Sequence, residues 1–326
     1  MNFWPFKKYC SPFTLTRLGI MGMNQRNVNY IGRYNDRALF PLVDNKLLTK
    51  ELALKNKVNT TNLIGSIKHQ YDVENFVKIV AGYNGFCIKP AHGSGGKGIL
   101  VIVKVDGNKF IKPNGQALNS LDIQRHISNI LAGLFSLGGK QDFALIEDLI
   151  NFDDVFSDYS FEGVPDVRVI VFRGYPVMSM MRLSTSNSDG KANLHQGAVG
   201  VGLCLRTGKA VRAVQFNFPI EKHPDTGALL SNLQVPQWQN VLNLASSCYD
   251  MSRLGYIGTD IVLDKKRGPL LLELNARPGM AIQTANGAGL LPRLHFIEAF
   301  INRYGYLPPE ERVKVSQEHF GVHDLT

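Results

Sequence analysis

The period of apolar and polar positions changes several times along the chain. A helical pattern runs from Lys46 to about Lys57, opened by the capping types Asp44 and Asn45. A second amphipathic run covers Val73 to Ala81 and stops at Gly82. Gly85 to Lys89 (GFCIK) then reads as a strand, followed by the glycine-rich loop His92 to Gly98 (HGSGGKG). Ile99 to Val105 and Lys109 to Lys112 flank the turn Asp106-Gly107-Asn108, a hairpin with the glycine loop at its open end. Leu121, Ile127, Ile130, Leu131 and Leu134 return to helical spacing, and Phe143 to Glu147 is a further strand.

The second half is strand-rich. Val167 to Arg173 and Tyr175 to Leu183 flank a tight turn at Gly174, and Ala198 to Leu205 and Ala210 to Phe216 flank Thr207-Gly208. Pro236 fits the first turn of a helix running to about Arg253. Tyr256 to Leu263 and Pro269 to Leu274 are joined by a charged turn. The mixture predicts an α+β fold with mainly antiparallel sheets.

The last hairpin carries the first chemical clue. With the turn centred between Lys266 and Arg267, Asp260 faces Glu273, and Asn275, two residues on, shares that side of the sheet. Opposed carboxylates repel unless a cation separates them. All-oxygen donors of this kind suit Mg²⁺, with phosphate oxygens and water completing its shell; a solvated polar face is the plainer alternative. The glycine loop is the second clue. Its amides can approach phosphate closely, with Lys97 inside it and Lys89 ending the strand before it. It is not a Walker A loop, since Gly98 rather than Ser or Thr follows Lys97. Third, Glu147 closes a strand ahead of Asp148, Leu149 and Ile150, a junction that can offer backbone groups to a nucleobase edge, with Asp153 or Asp154 beyond it for ribose hydroxyls.

Composition narrows the class. With 44% apolar and 19% charged residues the chain is globular rather than disordered or fibrous. Cys10, Cys87, Cys204 and Cys248 are far apart with no C-x-x-C pair, so no zinc site or disulfide framework is expected and a cytoplasmic setting is. No transmembrane segment is expected; Phe3, Trp4 and Phe6 beside Lys7 and Lys8 could pack on the fold or touch a membrane surface. The net charge of +9 invites an anionic partner, but no RNP, zinc-finger or basic-helix pattern supports nucleic acid. Residues 1–57 hold ten Lys and Arg against three Asp and Glu, so +7 of that charge lies there. Arg26, Arg33 and Arg37, seven and four apart, would share one helical face, either solvated or recruiting an acidic acceptor.

In order along the chain, Asn45-Lys46, the Lys89 strand, HGSGGKG, IEDLI at 146–150, D-V-R-V at 166–169, N-L-H-Q-G at 193–197, L-G-Y-I-G-T-D-I at 254–261 and E-L-N-A-R-P-G at 273–279 resemble the ATP-grasp superfamily over about residues 20–305. The RimK-type α-L-glutamate ligases, including their less characterised related branch, are the most similar members, while H-P-D-T-G at 223–227 with V-P-Q-W at 235–238 resembles ATP-grasp proteins associated with sugar transfer. The resemblance implies an ATP-grasp fold in which two α+β subdomains clasp ATP. It divides the chain into a short basic N-terminal segment (1–44), an ATP-grasp region (45–305, with 83–150 a mobile lid and 151–305 a metal-binding core) and a C-terminal tail (306–326).

The implied activity is ATP-dependent carboxylate–amine ligation through an acyl phosphate. Alternatives are a kinase-like transfer to a hydroxyl and a nucleotide-binding regulatory protein without turnover. Lys46 and Lys89 would hold phosphates under the loop of His92, Gly93, Ser94, Gly95, Gly96, Lys97 and Gly98. Glu147, Asp148, Leu149 and Ile150 would hold adenine, and Asp154 the ribose. Asp260, Glu273 and Asn275 would bind two Mg²⁺, with Mn²⁺ a possible substitute. Arg168, Arg182 and Arg277 are the candidates to steady the transferring anion, and His195 is either a substrate contact or a structural histidine. Substrates would be small-molecule or peptide carboxylates and amines, and a homo-oligomer is possible. RimK-type ligases carry a whole domain where this chain has about forty residues, so glutamate specificity does not follow from the likeness.

Overall fold

The computed structural model describes residues 10–93 and 95–321. Phe3, Trp4, Phe6, Lys7, Lys8 and Ser94 lie outside the described residues. The architecture is α+β with antiparallel sheets. A four-stranded sheet takes β1 (Leu63–Ile67), β2 (Phe86–Pro90) and β3 (Leu100–Ile102); after the small ribbon of β4 (Lys104–Asp106), β5 (Lys109–Ile111) and β6 (Ala117–Leu118) it is completed by β7 (Ala144–Glu147), in the order β1-β7-β2-β3. The large sheet contains β8 (Asp166–Phe172), β9 (Tyr175–Leu183), β10 (Val199–Leu203), β11 (Ala210–Gln215), β12 (Phe218–Pro219), β13 (Tyr256–Asp264) and β14 (Gly268–Asn275), ordered β12-β11-β10-β9-β8-β13-β14. The small sheet begins at Leu63, ahead of the boundary near 83 that the sequence suggested, because β1 pairs with β7.

The four-stranded and seven-stranded sheets each carry an apolar cluster. Ile67, Phe76, Phe86, Ile88, Ile102 and Ile146 pack against Ile123, Ile127 and Ile130 of the helix Ser120–Leu131. That helix starts where Asn119 and Asp122 cap each other reciprocally. The larger cluster joins the seven-stranded sheet to the helices Trp238–Ser252, Leu291–Tyr304 and Pro309–Phe320. Pro236 precedes the first of these rather than opening it, because Gln237 takes the N-cap with φ of 50°.

The stretches around Asn35 and over 306–321 are both part of this core. Residues 306–321 are not a loose tail: Val313 and Phe320 are buried in the large cluster and Arg312 pairs with Asp250. The β8–β9 hairpin turns at Arg173 and Gly174, both at positive φ. A Cβ on Gly174 would lie 1.9 Å from Arg312 Nη1. Gly174→Ala should therefore combine left-handed strain with overpacking and lower stability by about 2 kcal/mol or more, measured by denaturant melts. In the earlier stretch, buried Asn35 donates to the carbonyls of Tyr256 and Ala276 and accepts from the Tyr256 amide. Its extended backbone breaks the helical run. Arg26, Arg33 and Arg37 consequently do not share one helical face: Arg26 donates to Pro278 O, Arg33 lies near Glu298, and Arg37 sits in a separate short turn.

Candidate active site

The β13–β14 hairpin sets the centre. Asp264 accepts from the amides of Lys266 and Arg267 and fixes a three-residue turn, so the strands begin with Asp264 opposite Gly268. A bulge at Leu272 then adds one residue to β14. Beyond it Asp260 faces Glu273 and Gly258 faces Asn275, as the sequence predicts, although the turn is centred on Lys266 rather than after it. The bulge offsets the difference.

The adjoining strands complete a charged row. Asp260 is also register partner of Arg168 on β8, and Asp166 is partner of Arg182 on β9. Arg168 grips Asp260 with two donors, with Nη2 to Oδ2 at 2.7 Å. Arg182 holds Asp166 the same way, at 2.6 and 2.7 Å, and reaches Asp260 Oδ2 at 2.8 Å. All four side chains are largely buried. Burial pushes the Asp166 carboxyl up; Arg182 opposes this and Asp260 adds to it, leaving the group at about 6. Burial also pushes Asp260 up, but two guanidiniums outweigh it and hold the carboxyl below its usual range. Two acids and two arginines thus form a neutral, planar-donor cluster at which an anion can be steadied.

Glu273 is 40% exposed at its side chain and lies 3.5 Å from Lys46 Nζ. Asn275 Oδ1 accepts from the Arg277 amide at 2.8 Å. Among the described residues no three His, Cys, Asp or Glu side chains gather as a metal cluster, but the hairpin offers two carboxylates and an amide. Asp260 receives three guanidinium contacts, and a carboxylate has about four lone-pair sites. With Glu273 open, these donors fit Mg²⁺, which takes one or two carboxylates beside other oxygens. Arg277 donates to Asp44 at 3.0 Å and stacks over Phe40 at 4.7 Å, which ties the end of β14 to the residues that open the Lys46 helix.

A narrow cleft separates this hairpin from the small sheet, lined by Lys46, Lys50, Thr60, Lys89 and Leu271 to Leu274. Asn45 caps the helix Lys46–Lys55 by accepting from Leu47 and Leu48. Lys46 Nζ donates to Gly93 O at 2.6 Å, while His126 bonds Gly98 O at 3.0 Å, so the glycine loop is tied at both ends. His92 bonds Asp142 through its ring and backbone. Gly95 and Gly96 take positive φ with open space around them, and Lys97 is exposed.

The Glu147 side chain turns inward at the end of β7. Its carboxylate is buried and faces Lys89 at 2.8 Å, Lys50 at 3.0 Å and the Thr61 hydroxyl at 2.6 Å. Burial raises this carboxyl, and Lys89 with Lys50 more than compensates, holding it low. Burial brings Lys50 down to about 8 despite Glu147. The signal for Lys50 was available: it lies one turn beyond Lys46 on the same helix face. Of the neighbouring positions, Asp148 pairs with Arg267, Leu149 O accepts from Arg267, and Ile150 follows at the junction. Asp154 pairs with Lys265 at the surface and does not line the cleft. His195 is exposed on a short turn capped by Asn193, beyond the Arg182 end of the row.

The profile of the sugar-transfer associated ATP-grasp family matches residues 25–299. The chain belongs to the ATP-grasp family. The solved structures similar to this ATP-grasp chain include D-cycloserine synthetase DcsG (13% identity, 90% of this chain and 82% of that one, TM-score 0.46). D-alanyl-alanine synthetase A from Vibrio cholerae is another (10% identity, 88% and 67%, TM-score 0.47). D-alanine–D-alanine ligase from Bacillus anthracis is a third (12% identity, 87% and 71%, TM-score 0.44). No curated protein sequence matches the chain. Among the described residues no helix is long and apolar enough to cross a membrane.

Proposed function

We propose that this ATP-grasp chain is an ATP- and Mg²⁺-dependent ligase that joins a carboxylate to an amine. The observation that carries the reading is the buried row Asp166, Arg182, Asp260 and Arg168, set beside Glu273 and Lys46 on one side of the sheet. Transfer of a phosphoryl group needs positioned cations more than covalent help from the protein. Here the substrate carboxylate oxygen attacks the γ-phosphorus, the bond to the ADP oxygen breaks, and an acyl phosphate forms. The amine nitrogen then attacks the acyl carbon, the carbon–oxygen bond to phosphate breaks, and the nitrogen gives up a proton.

Lys46 and Lys89 neutralise phosphate oxygens, and the loop from His92 to Gly98 covers them. The backbone of Asp148 to Ile150 supplies the adenine edge. Arg168 and Arg182 orient the carboxylate and steady the anion that develops. Arg277 and His195 stand at opposite ends of the site, toward the N-terminal segment and the acceptor respectively. Glu273 and Asn275, with the remaining Asp260 lone pair, would hold Mg²⁺, which neutralises phosphate charge when bound.

The reading predicts ADP release only when both a carboxylate and an amine are present, and a product mass equal to the two substrates less water. The measurement is an ADP-release screen over paired amino acids, short peptides and amino sugars, with product mass spectrometry. A stable phosphoester product, or ATP binding without turnover across the panel, would overturn it.

A further inference from the structure

We infer that a hollow beside His195 receives the body of the amine acceptor and that this body is one uncharged ring; the assignment rests on the ligase reading above. The hollow encloses about 170 Å³, with Leu194, Val214 and Ala281 as its floor and walls and His195, Phe216 and Asn217 at its rim. Its position follows from strand register. Arg182 is partner of Gly200, and Gly200 is partner of Val214. Directly opposed residues point to one side of a sheet, and neighbouring strands are about 4.8 Å apart, so the hollow opens about 10 Å from the Arg182 backbone on the side that carries the charged row. Leu194 lies over Gly200, where a Cβ would be 2.6 Å from its Cδ2.

The turn at the rim is built at a cost. Phe216 and Asn217 join β11 to β12 with φ of 50° and 68°. Both positions of such a two-residue turn favour Gly, Asn or Asp, and a bulky aromatic at the first is strained. Outliers of this kind persist where the side chain is needed. Phe216 is not held there by burial, since it is 53% exposed. Its ring edge packs over Gly197, whose missing Cβ makes room for it, and Gln215 Nε2 holds Gly197 O at 2.9 Å. The ring thus stands as a fixed, half-open wall.

The lining chooses the ligand. Among the described residues no Asp, Glu, Lys or Arg lines the hollow, so an ionic group inside it would be desolvated without a partner. At about 170 Å³ the space is close to that of a cavity of about 150 Å³ that takes benzene, room for one ring. Phe216 offers a flat apolar face. The Asn217 amide and His195 imidazole, which have no side-chain hydrogen bond among the described residues, offer edge donors and acceptors. An amine borne on a neutral ring with an apolar face fits; hydroxyls on that ring would use the rim.

The test uses the full chain with Mg-ADP, and glucosamine, cyclohexylamine and ethanolamine as probes. Saturation-transfer NMR should show both ring amines bound and ethanolamine not. Glucosamine binding tighter than cyclohexylamine assigns the rim to ring hydroxyls, and equal binding assigns recognition to the Phe216 face; either supports the hollow. Phe216→Gly relieves the turn, so it should keep or raise the melting temperature and keep ADP affinity while weakening ring-amine binding about tenfold. Phe216→Ala should weaken it similarly. If wild type binds neither ring amine, or the variants bind them equally well, the inference fails. Ring binding that depends on Phe216 without any ADP release would uphold the hollow and overturn only the ligase reading. Turnover with an amine KM indifferent to Phe216 would do the reverse.

Discussion

Asp260→Ala is expected to lower stability by about 3–5 kcal/mol and to abolish Mg²⁺-dependent ATP turnover, whereas Glu273→Ala is expected to remove the turnover alone. The two residues face each other across one hairpin and differ in what surrounds them. Asp260 neutralises Arg168 completely and shares Arg182 with Asp166, all in a buried setting. Removing it leaves guanidinium charge buried and unpaired, the expensive way to break such a cluster. Glu273 is partly exposed and its ion-pair partner is Lys46, at 3.5 Å, a contact of the kind that contributes well under 1 kcal/mol. Denaturant melts and ADP-release rates on both variants separate the roles. Equal stability losses would show that the row does not act as one buried unit. Full turnover in Glu273→Ala would show that this carboxylate does not serve the metal.

The second large effect is expected at Glu147. This carboxylate lies between two buried lysines, and Glu147→Gln should destabilise the protein by about 3–5 kcal/mol at neutral pH. The loss should shrink as pH rises. Lys50 titrates at about 8 in the folded protein against an ordinary value of 10.5. Between those values the unfolded chain holds the proton that the folded protein has released, so this group makes stability rise with pH across that window. Without Glu147 an attraction that keeps Lys50 charged is gone, and the lysine should discharge at lower pH still. Glu147 acts at the other end of the scale: its carboxyl is held low, so its contribution is present above the ordinary carboxylate range and lost as pH falls through the folded value. Melts of wild type, Glu147→Gln and Lys50→Met at pH 7 and 9.5 check the assignment. Lys50→Met should lose the alkaline rise, and an unchanged rise in that variant would move its origin elsewhere.

Much of the site was legible because it rests on local rules. Asn45 before an apolar helical pattern predicts the capped helix that presents Lys46. Strand alternation and a tight turn predict the hairpin and put Asn275 on the side of Glu273, while the bulge at Leu272 completes the pairing of Glu273 with Asp260. A run of glycines between two apolar segments predicts the loop that Lys46 and His126 tie down. These features depend on residues a few positions apart, where backbone geometry leaves little choice.

Long-range packing decided the rest. Asp166 and Arg168 are two positions apart, yet only the pairing of β8 with β9 and β13 brings them to Arg182 and Asp260. Glu147 ends a strand as expected, but its carboxylate finds its partners on a helix and a neighbouring strand, a buried ion pair that no local rule shows. The last helix reads as a tail until Arg312 is seen beside Gly174. Local rules in the sequence set the α+β elements, the order of the motifs and the strand–turn–strand that carries Asp260 and Glu273, because turn chemistry and side-chain period are local; the pairing of those two residues also needed the bulge at Leu272, which side-chain period does not show. Only long-range packing decided which charges neutralise one another and where the hollow beside His195 lies, because those depend on strands and helices that meet far from their neighbours in the chain.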